Sequence, residues 1–114
     1  MVVRSVANKS VMKVDIIKSI DRQIALEDIC ETKNLEIPEL LTEIEAIVNS
    51  GTKLNLDYYI NQVLDEERRD EIYQYFKAAE TESIDEALKV LGEDDFSEED
   101  IRLMRVKFIS ELGN

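Results

Sequence analysis

The sequence predicts a mainly α fold: an N-terminal three-helix, helix-turn-helix-like unit with an incomplete wing, followed by a C-terminal helical bundle. Three observations carry that expectation. Apolar residues recur at i, i+3, i+4 and i+7 in several segments of the 114-residue chain, the spacing that lines one face of a helix. Helix-start and helix-stop residues stand between these segments, among them Asn34, Pro38, Gly51, Asp65, Ser83 and Gly92. Only one short run, Leu54 to Ile60, alternates with the two-residue period of a strand.

Residues 1–9 offer few signals beyond Val2 and Val3 and are expected to be extended or disordered. A first helix is expected from about Ser10 to Arg22, with Met12, Ile16, Ile17 and Ile20 as its apolar stripe. Its β-branched residues weaken intrinsic propensity, so packing must supply its stability. Leu26, Ile29 and Cys30 mark a second helix, and Asn34 tolerates the left-handed conformation in which a helix ends. Pro38 suits the first position of a third helix, where a missing N–H costs nothing. Leu40, Leu41, Ile44, Ile47 and Val48 form that helix's wide buried stripe, and Gly51 is expected just beyond its end. Two short amphipathic helices joined by a turn of a few residues make a helix-turn-helix.

For residues 54–60 two readings stay open. They are one arm of a wing, although no turn dipeptide and second alternating run follow, or a helix starts near Asp57. The first unit is therefore placed at residues 10–62 and a C-terminal three-helix unit, packed on it, at 63–114. In the latter, Asp65 caps a helix that opens with Glu66 and Glu67 and buries Ile72, Tyr75, Phe76 and Ala79. Ser83 with Glu86 forms a capping box for a short helix through Leu91, ended by Gly92. Ser97 with Asp100 is a second box, and Phe96 with Ile101 is spaced as a hydrophobic staple. The last helix is expected to bury Ile101, Met104, Phe108 and Leu112. Arg102, Arg105 and Lys107 follow its acidic first turn in the order the helix dipole favours.

The chain carries 26 Asp and Glu against 14 Lys and Arg, a net charge of −12, which favours basic partners over nucleic acid. That average hides an asymmetry. Arg4, Lys9, Lys13, Lys18 and Arg22 against Asp15 and Asp21 make residues 1–22 net +3, which leaves −15 for the rest. On the second helix of the helix-turn-helix, Glu39, Glu43 and Glu45 are expected on the solvent face, with no Lys or Arg between Pro38 and Gly51. A duplex carries one phosphate charge per roughly 1.7 Å, so this helix would be repelled from the groove it should read. If DNA is touched, Arg4, Lys9, Lys13, Lys18 and Arg22 are the residues expected to meet phosphates, without reading sequence. The plainer reading is a helical packing unit with a solvated acidic face.

Absent residues exclude much chemistry. No histidine is present, which removes imidazole-based metal sites, Ser-His-Asp triads and histidine acid–base catalysis. Three unclustered glycines cannot build a phosphate-cradling loop. The acidic run from Glu93 to Asp100 is broken by Phe96 and lacks the central glycine of a calcium loop, so no metal site is expected. Tyr58, Tyr59, Tyr73 and Tyr75 are of the type that stacks on bases, but few cations lie near them in sequence. Cys30, on an apolar stripe, has no cysteine to pair with. No apolar run approaches 18 residues and no signal-peptide pattern appears, so the expected setting is cytoplasmic and away from membranes. Neither a catalytic residue nor a cofactor is expected in this chain.

Three longer runs point further. VANKSVMKVDIIKSIDRQIALEDI at Val6 to Ile29, ELLTEIEAIVNSGTKLNLDYYI at Glu39 to Ile60, and FSEEDIRLMRVKFISELGN from Phe96 resemble the extreme C-terminal region of a group of bacterial RecQ-type ATP-dependent DNA helicases. The resemblance covers nearly all of the chain. Leu26 to Gly51 also resembles a helix-turn-helix domain found at helicase C-termini, whose pattern has a small residue at position 30, glycine at position 34 and polar or basic residues at positions 39 and 43. Asn34 is a mild departure, whereas Glu39 and Glu43 run against DNA reading. The resemblance implies a parent enzyme that uses ATP and Mg to unwind DNA 3′ to 5′ in repair and recombination. Its motor motifs, zinc-binding cysteines and complete wing are not in this sequence. What it implies for the chain is a non-catalytic accessory domain that docks on the helicase core in cis, on a partner protein, or weakly on DNA. The alternative is an acidic protein-interaction module with no DNA contact. A free-standing transcription regulator fits poorly, because neither a basic recognition helix nor a dimerising heptad is present.

Overall fold

The computed structural model describes the backbone of residues 2–112 and the side chains of residues 11–112. Among the described residues there are seven helices and no strand: α1 (Val2–Asp21), α2 (Leu26–Lys33), α3 (Ile37–Asn49), α4 (Asp57–Val63), α5 (Glu66–Ala78), α6 (Ile84–Leu91) and α7 (Glu98–Leu112). The first helix thus begins at Val2 and not near Ser10, which corrects the extended N-terminus expected for residues 1–9. No Gly or Pro interrupts residues 2–21, so nothing in the chain stops the helix there.

The three helices of the helix-turn-helix unit end in the same way. Past each one a residue takes positive φ, Gln23 at 61°, Asn34 at 58° and Gly51 at 102°. In each case two backbone N–H groups turn back onto the last helical carbonyls. Gln23 and Ile24 donate to Ile20 and Ser19, Asn34 and Leu35 to Glu31 and Cys30, and Gly51 and Thr52 to Val48 and Ile47. This is the Schellman pattern, which satisfies carbonyls that a helix end leaves open. Asn34 and Gly51 announce it in the sequence; Gln23 does not. Pro38 is the second residue of α3, because Glu36 serves as the N-cap.

Between α3 and α4 the alternating run is not a strand. Leu54 and Leu56 are both buried, laid against the core by extended coil, and the Asn55 side chain accepts the N–H of Asp57, 3.0 Å away, at the start of α4. The wing reading is therefore overturned in favour of a helix from Asp57.

The starts of the later helices follow their sequence signals. Asp65 accepts from the Arg68 N–H at 2.8 Å, Ser83 from Glu86 at 3.3 Å, and Ser97 from Asp100 at 3.1 Å. α7 packs against α3, α4, α5 and α6. Its apolar residues are consequently buried on more than one face: Ile101, Leu103, Met104, Val106 and Phe108. Leu112, expected in the core, is 61% exposed at its end. Phe108 meets Tyr73 edge-on at 5.8 Å and Phe76 at 5.9 Å, joining α5 to α7.

Ser110 is the one buried polar residue in the core of the described chain. Its hydroxyl accepts from the Leu54 N–H at 2.9 Å and donates to the Leu54 carbonyl at 3.0 Å, so one side chain satisfies both backbone groups of a buried loop residue. Ser110→Ala leaves both without a partner, which costs about 1–3 kcal/mol. Urea unfolding is expected to show that loss at unchanged m-value, and an unchanged midpoint would contradict the clasp.

Candidate interaction surface

α3 is the helix that would read DNA in a helix-turn-helix, so its faces decide what the unit can touch. Leu40, Leu41, Ile44, Ile47 and Val48 point into the core. A second flank is covered by α7. The Arg102 guanidinium grips Glu45 through Nε and Nη2, each at 2.9 Å, and Arg105 Nη2 reaches the same carboxylate at 2.7 Å. Arg102 also reaches the Thr42 hydroxyl at 3.1 Å, and Arg105 the Glu82 carbonyl at 3.1 Å.

Glu45 therefore does not lie on the solvent face where its spacing suggested. Burial pushes its carboxyl up, but the Arg102 hydrogen bond and the charges of Arg105 and Arg102 outweigh that and hold it below its ordinary value. The same contacts occupy two arginines that, read as sequence, served only the dipole of their own helix.

The exposed residues of α3 are Pro38, Glu39, Thr42, Ala46 and Asn49, with Glu43 half-buried. Glu39 has a structural task as well. Its Oε1 accepts the N–H of Glu36 at 2.9 Å, capping the helix that it begins. The charged residues on this outward face are acidic, and Arg102 and Arg105 on its flank are already paired with Glu45.

The five basic positions, four on α1 and Arg22 just past its end, divide. The side chains of Arg4 and Lys9 lie outside the described residues. Lys13, Lys18 and Arg22 are exposed; Lys18 acts on Asp15 through its charge, without a salt bridge. Lys18 and Arg22 stand one turn apart on one face, but Lys13 lies roughly 140° around the helix from Lys18 at 3.6 residues per turn. One phosphate strand cannot meet all three side by side. Asp15, on the same helix, is taken by Lys33 of α2 at 2.6 Å, and that hydrogen bond holds its carboxyl below its ordinary value.

The tyrosines are used internally. The Tyr58 hydroxyl donates to the Ile24 carbonyl, and burial pushes its pKa up to about 12. Tyr59 is buried and donates to Glu27; burial, then that carboxylate, pushes its pKa up. Neither ring is free to stack on a base. Among the described residues no group of three or more Cys, Asp or Glu is placed to hold a metal ion, and no helix is long and apolar enough to cross a membrane. Burial pushes the Cys30 thiol above its ordinary value, away from the reactive thiolate.

With this geometry in view, residues 10–60 match the family model described as the RecQ-1-like helix-turn-helix domain. That segment is similar to RecQ-1-like helix-turn-helix domains. The match runs from within α1 through α2 and α3 into α4, under half of the chain. No curated protein matches the sequence. α5, α6 and α7 lie beyond the matched segment, yet α7 is the helix that covers the flank of α3.

Proposed function

We propose that this chain is an accessory, non-catalytic region of a RecQ-like helicase that docks on protein, the helicase core in cis or a basic partner, through its acidic surface. The parent is taken to be an ATP-dependent 3′-to-5′ DNA helicase of repair and recombination, acting in the cytoplasm, with ATP and Mg confined to the motor. The observation that carries the docking reading is the state of α3: one flank closed by the Arg102–Glu45–Arg105 clamp, the other bearing Glu39 and Glu43. A helix so placed is repelled by phosphate and attracted to basic protein.

A second reading, weak non-specific DNA binding, is favoured by one observation only, the exposed Lys18 and Arg22 one turn apart. Two phosphate contacts give a salt slope near −2, far below that of a dedicated DNA binder. Titrating duplex and forked DNA against salt, beside capture of the helicase core, separates the two. Core capture with a DNA slope no steeper than about −2 is expected. A steep slope, lost on charge reversal at Arg4, Lys9, Lys13, Lys18 and Arg22, would make DNA the partner.

A further inference from the structure

A cleft of about 250 Å³ opens between α4, α5 and α7. The half-buried Tyr73 stands at its wall, and Ile60 and Met104, each 1% exposed, lie beneath its floor. Its charges are unequally placed. Lys107 is already held between Asp57 at 2.8 Å and Glu111 at 2.7 Å, while Arg69 donates to the amide oxygen of Asn61 and keeps its Nε buried without a partner. Glu66 and Asp70, one turn apart on α5, line the same cleft with no cationic partner among the described residues. Two further depressions adjoin it, both sharing Asp57 with it, and carry the furrow past Asn55 to Asp21 at the end of α1.

We propose that this cleft receives a lysine or arginine side chain from an extended basic segment of a protein partner. The aliphatic stem of such a side chain lies against the Tyr73 ring while its charged head meets Glu66 and Asp70. The furrow leading away along Asp57 and Asn55 gives the flanking residues a track. Nucleic acid is disfavoured by sign, because carboxylates outnumber cations along the furrow. The proposal deepens the protein-docking reading and rests on it, naming the place on the acidic surface where a basic segment seats.

The probe is a fluorescein-labelled decapeptide of alternating glycine and arginine, titrated by fluorescence anisotropy with the full 114-residue chain. Glu66→Gln/Asp70→Asn is expected to weaken binding at least 10-fold. Asp28→Asn/Glu31→Gln removes the same charge from the exposed face of α2 and is expected to change it less than 2-fold. The methyl resonance of Met104 is expected to shift during the titration. Equal losses in the two double variants, a still Met104 signal, no binding by the unaltered chain, or spermidine competing as well as unlabelled peptide each overturn the cleft. Failure of the cleft with the helicase core still captured leaves the docking reading standing. Failure of core capture removes that reading whatever the peptide does.

Discussion

Replacing Glu45 with alanine is expected to lower the melting temperature of the domain by about 10 °C, corresponding to roughly 2–4 kcal/mol. The reason is asymmetry. The side chains of Glu45, Arg102 and Arg105 are only 14%, 13% and 21% exposed, so removing the carboxylate strands two guanidinium groups that water reaches poorly. Glu45→Gln keeps an acceptor and should lose about half as much. The effect also carries a pH signature. Because the folded protein holds Glu45 below its ordinary value of 4.5, the clamp contributes fully above about pH 4.5 and fades as pH falls through the depressed value. Melting curves of the parent chain and Glu45→Ala should therefore converge in acid. Curves that stay parallel down to pH 3 would refute a charged clamp.

Ending the chain at Leu64 is expected to leave the helix-turn-helix unable to fold. The fragment keeps α1 to α4 but loses Ile101, Met104 and Val106, each of them 0–1% exposed. It also loses both partners of Glu45. Buried residues of all seven helices belong to one core, and a remnant of about 60 residues without its central helix buries too little apolar surface to hold together. Amide resonances of the fragment should collapse into a narrow window, with no cooperative thermal transition. The whole chain should melt once, the transition reporting on α3 and α5 alike. A sharply melting fragment would mean that the matched segment carries its own core.

Much of this was legible beforehand, where the physics is local. Asn34 and Gly51 mark helix ends because few other residues tolerate left-handed backbone, and Asp65, Ser83 and Ser97 mark starts because their side chains reach the next free N–H groups. What escaped depends on partners distant in sequence. The position of Glu45 on the border of the apolar stripe is compatible with solvent or with a neighbour, and only α7, some 57 residues on, decides between them. The alternation of Leu54 and Leu56 imitates a strand because coil pressed on a core also points every second residue inward. The spacing of α7 suggested a single buried stripe, yet a helix surrounded by four others hides apolar residues on several sides. Among the candidate site residues, the exposure of Glu39, Lys13, Lys18 and Arg22 was foreseeable. The capping task of Glu39 was not, since its pairing with Glu36 looks like repulsion until the backbone N–H is counted as the donor.

That cap narrows how α3 can change. A lysine at position 39 would give the groove-facing surface the sign a nucleic acid wants, but it would also strip the Glu36 amide of its acceptor and set a cation at the positive end of the helix dipole. Each loss is of order 1 kcal/mol. Converting this scaffold into a reader of bases thus begins with a step that loosens the very element meant to do the reading, and an engineer would have to rebuild the helix start before altering its charge.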